Sequence, residues 1–425
     1  MNKEKEIMKR QLNLSVPSAF DYIVTTLISM VDIFAISFLG SKAVAAVGAM
    51  TSVIFFYNLI IKSIQVSNNV IVARKIGKNN LNEMKISTGN AVFLTIIAQI
   101  ICILVILLFG KFLPKLFNVS PICLTYLYIR LIGSIPYAIT FIITGHERTN
   151  GRSKQMLYIR VFSLILNIIL DYLAVKLGYG VAGVAWATVI IEFINMILVM
   201  ISANKTIKYK YNNKSIINIV NLTKHAIMDR IFDRGGKLII DIILARLGTF
   251  QYAAHVILNQ IEAFANDFCY GFGIGITTNV GIELGRNNKG ELQILKRVIN
   301  KVSNYLIIIV PTIIFISSIL LLPILLKESQ PLKIAYGLLP FVVIYAILMP
   351  IKYKYSSIME GMKEFKFTAH LSFVANIIKI VLAYILSKYI FVRGVWLAFI
   401  ITYIFTSIIL KNKIIKSKIF STFRN

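Results

Sequence analysis

The feature that most constrains this chain is a series of apolar segments of about 20 residues, long enough to cross a bilayer as helices. The chain is 57% hydrophobic with a mean hydropathy of +0.76. Even large soluble domains bury only about three quarters of their surface, so a soluble fold would leave much of this exposed. The pattern therefore predicts an all-α membrane protein with twelve transmembrane helices. They lie near residues 14–37, 46–72, 88–110, 121–144, 157–176, 182–202, 227–246, 252–284, 301–326, 332–351, 367–387 and 394–410.

The net charge of +28 is distributed unevenly along the chain. Lys and Arg crowd the N-terminus and every second connection, whereas the intervening loops carry one or two basic residues each, such as Lys176 and Arg246. This alternation is the positive-inside pattern and predicts cytoplasmic N- and C-termini. The basic loops then face anionic membrane lipid, and no nucleic-acid partner is needed to explain them. They are "ARKIGKNN", "GHERTNGRSK", "NKTIKYKYNNKSI", "LGRNNKGELQILKR", "KYKYSSIMEGMKEFK" and the tail "KNKIIKSKIFSTFRN".

The chain contains an internal repeat at an offset of 208 residues. "ISFLGSKAVAAVG" aligns with "LARLGTFQYAAHV", and "IGKNNLNE" (76–83) aligns with "LGRNNKGE" (284–291). The 52 ungapped positions from 32 to 83 contain 11 identities. A second match, "LNIILDYLAVKLGYGVAGVAWA" with "ANIIKIVLAYILSKYIFVRGVWLA", comes near the end of each half.

The repeat divides the chain into two six-helix bundles. Residues 1–203 form the predicted N-lobe, 204–226 a cytoplasmic linker and 227–425 the C-lobe. Because six is an even number, both lobes enter from the cytoplasmic side, so they are related by a parallel pseudo-twofold axis along the membrane normal. Two such bundles that face each other enclose a central cavity, which is the plan of a transporter.

Several acids interrupt the apolar segments. A charge at mid-bilayer costs at least about 2.5–3.5 kcal/mol, so these acids are expected to face a cavity or a partner. Lys62, Arg130, Lys237 and Lys379 are available as partners. The acids away from the segment ends are Asp21, Asp32, Asp171, Glu192, Asp233, Asp241, Glu262 and Asp267.

Spacing selects a subset of these polar residues. Asn167 and Asp171 are four residues apart and share a helix face. Thr188 begins the next helix, and Pro17, inside the first helix, is expected to bend it. Oxygen atoms from the first helix (Asp32), the fifth and the sixth are therefore expected to converge. Such a set of ligands suits a proton or a hard monovalent cation.

Catalytic signatures are missing from the sequence. It has no Walker loop, dinucleotide fingerprint or nucleophile elbow, and its four histidines lack the spacing of zinc ligands. "GFGIG" at 271–275 lies inside an apolar segment, where close helix packing explains it better than a phosphate cradle. We therefore expect neither an enzyme nor a metal or organic cofactor. Without an ATP site, uphill transport must draw on an ion gradient.

Taken together, four stretches resemble the multidrug and toxic-compound extrusion (MATE) family of cation-coupled antiporters, in its DinF- and NorM-like branches. They are "VDIFAISFLGSKAVAAVGAMT", "VARKIGKNN", "NIILDYLAV…GVAGVAWAT" and "LGTFQYAAHVILNQIEAF…GIGITTNVGIELGRNN". The resemblance extends over essentially the whole chain and implies a fold of twelve helices in two lobes.

The resemblance also implies roles for individual residues. The N-lobe cation site of the family falls on Asp32, Asn167, Asp171 and Thr188, and its helix-bending proline falls on Pro17. A coupling acid of the seventh helix falls on Asp233, where aspartate replaces the usual glutamate. Arg234 is adjacent and could form an ion pair with Asp233, so a purely structural role for Asp233 is the alternative. Lower-ranked cavity acids are Asp21, Glu192, Asp241 and Glu262.

The expected function is therefore H⁺- or Na⁺-coupled export of amphipathic, cationic or zwitterionic small molecules by alternating access. The expected setting is a monomer in the cytoplasmic membrane of a bacterium. Two alternatives use the same fold: a flippase for a lipid-linked precursor, and a dedicated exporter of one peptide or natural product. The embedded acids outnumber the embedded cations in this reading, which favours a cationic substrate over an anionic precursor.

Overall fold

The computed structural model describes residues 2–117, 120–326 and 328–417. The last eight residues of the predicted basic tail lie outside this part of the chain. Within it, thirteen α-helices follow one another, and twelve of them are 24 residues or longer. The helices are α1 (Asn2–Ser37), α2 (Ser41–Gly77), α3 (Leu81–Phe109), α4 (Leu113–Phe117), α5 (Ile122–Thr149), α6 (Ser153–Lys176), α7 (Gly180–Ala203), α8 (Asn213–Ala245), α9 (Thr249–Arg286), α10 (Lys289–Leu325), α11 (Ser329–Gly361), α12 (Phe365–Ile390) and α13 (Val392–Lys416).

The apolar surface of these helices is that of a membrane protein. Ten helices are long and apolar enough to cross a bilayer, counted over the described residues. Large side chains such as Leu108, Ile308 and Leu320 are more than 60% exposed, as expected of positions that face lipid. The predicted all-α membrane fold is confirmed. The helices α8 and α9 carry more polar residues and are not among the ten, so the spans expected at 227–246 and 252–284 stay predictions.

The chain divides into two compact units. The first unit contains Val16–Ile227 and Gly285–Asn287, and the second contains Met1–Ser15, Met228–Leu284 and Asn288–Asn425. Corresponding helices make corresponding contacts inside each unit: α5 contacts α3 and α7 as α11 contacts α10 and α13, and α6 packs on α7 as α12 packs on α13. The same contact pattern in both units agrees with the sequence repeat.

The repeated loop "G-[KR]-N-N-x-x-E" has the same local geometry in both places. Asn79 and Asn287 have positive φ angles of 56° and 55°, a conformation that asparagine tolerates better than most residues. The following asparagine caps the next helix: Asn80 accepts a hydrogen bond from the Glu83 amide and Asn288 from the Glu291 amide, both at 3.2 Å. The repeated motif is therefore explained by a helix–loop–helix connection that needs these residue types.

The first fifteen residues belong to the second unit, whereas the sequence assigns them to the N-lobe. The reason is a buried polar seam with α9. The Gln11 side chain accepts a hydrogen bond from Asn279 at 2.7 Å, Arg10 pairs with Glu283 at 2.5 Å, and the Ser15 hydroxyl donates to the Phe272 carbonyl at 2.9 Å. The division between the units falls inside α1, next to Pro17.

The predicted linker 204–226 is only partly irregular, because α8 begins at Asn213. Its irregular part is held against α3 inside the first unit. The Asn90 side chain donates to the Lys210 carbonyl at 3.0 Å and accepts from the Asn212 amide at 3.1 Å. The Lys208 amide donates to the Lys85 carbonyl at 3.2 Å. A side chain at Gly89 would overlap the Lys208 carbonyl.

We expect Gly89→Ala to lower the free energy of unfolding by about 1–3 kcal/mol, because the added methyl group meets backbone that cannot rotate away. Gly48→Ala is the matched control: it also lies within a helix, but its added methyl group meets no atom within 4 Å. That control should be neutral or slightly stabilising. Thermal unfolding of the purified variants in detergent measures both effects, and equal behaviour would show that the linker is not held by this contact.

Candidate functional site

The helix α6 buries polar side chains and exposes apolar ones. Its buried face contains Ser163, Asn167 and Asp171, spaced four residues apart, whereas Ile168 and Ile169 between them are exposed. This reversal of the pattern of a soluble amphipathic helix is expected where lipid surrounds the protein. The helix therefore places an amide and a carboxyl group one turn apart in the interior of the first unit.

Asp32 of α1 lies against this polar face. The Asn167 Nδ2 group donates a hydrogen bond to Asp32 Oδ1 at 2.9 Å, and the Thr188 hydroxyl of α7 lies 3.4 Å from Asp32 Oδ2. The Asp171 carboxyl group adjoins that of Asp32, within reach of a side-chain hydrogen bond. The structure thus brings together all four residues predicted for the N-lobe cluster, from three different helices.

The cluster is incompletely hydrogen-bonded. Asn167 Oδ1 and both Asp171 carboxyl oxygens are buried and receive no hydrogen bond from any donor in the described residues. Asn167 is 0% and Asp171 1% exposed. A buried oxygen without a partner costs roughly 1–3 kcal/mol, and a buried charge costs more. Two ionised carboxylates cannot hydrogen-bond each other, so the chemistry of this set of oxygen atoms fits a proton or a small cation.

Glu192 of α7 forms a second pair close to the cluster. Its Oε1 atom lies 3.3 Å from Arg130 Nη2 of α5. Glu192 is 9% exposed, and the Arg130 side chain is 14% exposed. Arg130 interacts electrostatically with Asp32 and Asp171 as well as with Glu192.

Asp21 takes part in a separate ion-pair cluster. Its Oδ1 atom accepts a hydrogen bond from Arg160 Nε at 3.2 Å, and its Oδ2 atom pairs with Arg148. Asp21 is 1% exposed, and the two arginine side chains are 12% exposed or less. Although Asp21 and Asp32 are on the same helix, the partners of Asp21 are cations and those of Asp32 are an amide, a hydroxyl and a second carboxyl group.

The acids predicted for the second lobe lie in the second unit. The Asp233 side chain is 64% exposed and lies 3.9 Å from Lys379 Nζ of α12. Its ion pair is thus with Lys379, and the adjacent Arg234 considered from the sequence also acts on it electrostatically. Glu262 is buried and Asp241 is half-buried.

Sequence reasoning named Arg130 only as an available partner and did not consider Arg148 or Arg160. The sequence signal that could have singled out Arg130 is its position eight residues into an apolar segment. A charged side chain there is costly in a membrane unless it has a counter-ion or a function.

Long apolar helices in two repeated units, with buried polar clusters inside, define a polytopic membrane protein. The family model MatE matches residues 17–173 and 226–385, more than half of the chain. The chain therefore belongs to the MatE family, whose members are transporters and not enzymes. The resemblance found in the sequence is confirmed.

Curated relatives in bacteria are similar at low identity. The probable multidrug resistance protein NorM of Thermotoga maritima is 25% identical over 304 residues, which are 67% of this chain and 65% of that protein. The chain thus spans slightly less than two thirds of that relative. The probable multidrug resistance protein YoeA of Bacillus subtilis is 22% identical over 363 residues, which cover 79% of this chain and 78% of YoeA.

Solved structures share the fold. An aspartate-to-asparagine variant of the Vibrio cholerae MATE transporter VcmN superimposes with a TM-score of 0.90 at 16% identity, over 99% of this chain and 100% of that chain. A multidrug resistance MATE transporter solved in an outward-facing conformation gives a TM-score of 0.86 at 18% identity, over 95% of this chain and 94% of that one.

Proposed function

We propose that this protein is a cation-coupled antiporter that exports amphipathic cationic or zwitterionic compounds by alternating access. The observation that carries the proposal is the buried cluster of Asp32, Asn167 and Asp171, in which three oxygen atoms receive no hydrogen bond from the described chain. Membership of the MatE family supports transport as the activity. The NorM and YoeA relatives are described as probable multidrug resistance proteins, which supports this class of substrate.

The coupling ion is H⁺ or Na⁺. Two adjoining carboxyl groups repel each other when both are ionised, so a shared proton or one bound monovalent cation stabilises them. The amide oxygen of Asn167 and the hydroxyl of Thr188 supply neutral ligands beside the carboxyl groups. In the proposed cycle, an external cation binds the cluster, favours the state that releases substrate outside, and leaves on the cytoplasmic side.

Such a cycle requires that each ligand binds the two states with different affinity. A ligand that binds both states equally shifts no population, however tightly it binds. The bend expected at Pro17 lies on the same helix as Asp32, so occupancy of the cluster and the shape of α1 are proposed to be linked.

Several further assignments complete the proposal. Along the sequence the lobes are residues 1–203 and 227–425 with the linker 204–226, although residues 2–15 pack within the second unit. Both termini face the cytoplasm of a bacterial cell, and the protein acts as a monomer. Asp233 is a second coupling acid, supported by the exposure of its side chain and its long 3.9 Å pair with Lys379. Glu262 and Asp241 stay lower-ranked cavity acids.

The alternative is a flippase for an anionic lipid-linked precursor. Basic side chains without a counter-ion in the membrane-spanning helices would favour it. In the first unit, Arg130, Arg148 and Arg160 each contact a carboxylate. Their charge is thereby at least partly compensated, which favours a cationic or zwitterionic substrate. A dedicated exporter of one natural product uses the same chemistry and differs only in substrate range.

The test is transport of ethidium by the purified protein in proteoliposomes, with a pH gradient compared against a Na⁺ gradient of equal size. We expect one of the two gradients to drive ethidium against its concentration gradient, and the matching ionophore to abolish this accumulation. The proposal would be contradicted if ethidium and a panel of further cationic dyes all distributed as they do in protein-free liposomes. Gradient-independent movement of a fluorescent lipid-linked precursor would support the flippase in its place.

A further inference from the structure

The pair formed by Arg130 and Glu192 lies beside the Asp32 cluster but is not a saturated ion pair. Only Nη2 of the guanidinium contacts Glu192 Oε1, at 3.3 Å. Arg130 Nε and Nη1 and Glu192 Oε2 are buried without a hydrogen-bond partner in the described parts of the chain. A structural arginine–carboxylate pair is typically bidentate with its remaining groups hydrogen-bonded, because desolvated charges are otherwise costly. This pair retains free hydrogen-bonding groups on both partners.

The space for Glu192 is built into α5. Gly133 lies one turn after Arg130, and a side chain at this position would overlap Glu192 Oε2 and contact Val189. The same turn of α5 therefore supplies the cation and the gap into which the carboxylate fits. This arrangement holds Glu192 next to Arg130 while it leaves Oε2 without a donor.

The pair acts electrostatically on the cluster that is proposed to bind the coupling cation. Asp32, Asp171 and Glu192 carry three negative charges when ionised, and Arg130 carries one positive charge. The net charge of these four side chains is then −2. Arg130 interacts with all three carboxyl groups. The other titratable or charged groups that face the pair are Tyr57, Tyr126, Tyr137 and Arg160.

We propose that Arg130 and Glu192 are positioning residues that set the affinity of the Asp32–Asp171 site for its coupling cation. The fixed guanidinium repels an incoming H⁺ or Na⁺, so that the cation binds weakly enough to be released. Glu192 weakens this repulsion, because its carboxylate pairs with the guanidinium and partly neutralises the positive charge. The inference rests on the proposed function, since it assigns a regulator to the same site. It does not depend on which of the two cations is used, because Arg130 repels both.

Coulomb's law supports an effect of measurable size. Charges inside a protein interact more strongly than in water, because the effective dielectric constant there is lower. Removal of the guanidinium is therefore expected to lower the half-saturating concentration of the coupling cation by at least about tenfold. Removal of the Glu192 charge is expected to raise it. The two single substitutions should therefore shift the site in opposite directions.

The experiment measures charge displacement in proteoliposomes adsorbed on a solid-supported membrane, after a jump in pH or in Na⁺ concentration. It needs no export substrate. The variants are Arg130→Gln, Glu192→Gln and the double variant, with Arg130→Lys as the control that keeps the charge. We expect opposite shifts of the midpoint for the single variants, a value between them for the double variant, and a value near the wild type for Arg130→Lys.

A purely structural pair would give a different pattern. The single variants would then yield less folded protein, and the protein that folds would keep the wild-type midpoint, which overturns the inference. If one single variant does not fold, the other decides the test, since a wild-type midpoint in a folded Arg130→Gln or Glu192→Gln protein contradicts the inference. A double-variant midpoint that differs from the wild type by tenfold or more would also contradict it. Asp32→Asn in the same assay separates the two proposals. If it leaves the displacement intact, the proposed cation site is wrong; if it abolishes the displacement while Arg130 and Glu192 variants behave as wild type, only this inference fails.

Discussion

Replacement of Asp32 with asparagine is expected to abolish gradient-driven transport while the protein stays folded. The amide retains the size of the carboxyl group and an acceptor for the Asn167 Nδ2 group, which donates to Asp32 Oδ1 at 2.9 Å. It removes the negative charge that makes the cluster attractive to a cation. Since coupling free energies between sites are about 1–3 kcal/mol, we expect the initial rate of ethidium accumulation to fall by at least about tenfold.

The matched control for this prediction is Glu83→Gln, which removes an exposed carboxylate at the start of α3 that pairs with Lys75. Thermal unfolding should give similar midpoints for both variants and the wild type, so that a loss of transport is not a loss of fold. Accumulation by Asp32→Asn at the wild-type rate, under a gradient that drives the wild type, would refute the assignment of Asp32 as the coupling acid.

Replacement of Asp21 with alanine is expected to affect stability before it affects coupling. The substitution leaves Arg148 and Arg160 in the interior without the carboxylate that both contact. Removal of one partner from a buried ion pair costs about 3–5 kcal/mol, because the remaining charge loses its counter-ion in the interior. We expect the free energy of unfolding to fall by about this amount, as measured by thermal or denaturant unfolding in detergent.

The control here is Glu83→Ala, since an exposed ion pair is worth less than about 1 kcal/mol. A second variant, Asp21→Asn, keeps the shape of the side chain but not its charge, and should also be destabilised. An Asp21 variant as stable as the wild type that nevertheless fails to transport ethidium would place Asp21 among the coupling residues instead.

The contrast between Asp32 and Asp21 shows how far sequence reasoning reaches. Both are acids in the same apolar segment, eleven residues apart. The i, i+4 spacing of Asn167 and Asp171 identified neighbours for Asp32, because helical periodicity is local and can be read from the chain. The partners of Asp21 are 127 and 139 residues away, on α5 and α6. No local pattern indicates such a contact, so only the packing of the helices separates the two acids.

The internal repeat clarifies the asymmetry of the two units. In the alignment of the halves, Asp32 corresponds to Ile240 and Asp171 to Ile380, whereas Asn167 corresponds to Asn376. Asn376 is buried, and its side chain donates to the Ser372 carbonyl at 2.8 Å inside its own helix. The shared architecture therefore accommodates the asparagine in both halves and the carboxyl pair in only one, so the carboxyl pair is not required by the fold that the halves share.

The sequence by itself determined the features that depend on local chemistry and on solvent. Apolar segments of fixed length define the helices because a bilayer leaves no water to satisfy an open backbone. The repeated asparagine loops define where helices end and begin. The tertiary structure alone decided which charges meet: Asp21 with Arg148 and Arg160, Glu192 with Arg130, and residues 2–15 with α9. These contacts join residues far apart in the chain, and buried charges select partners by distance in space.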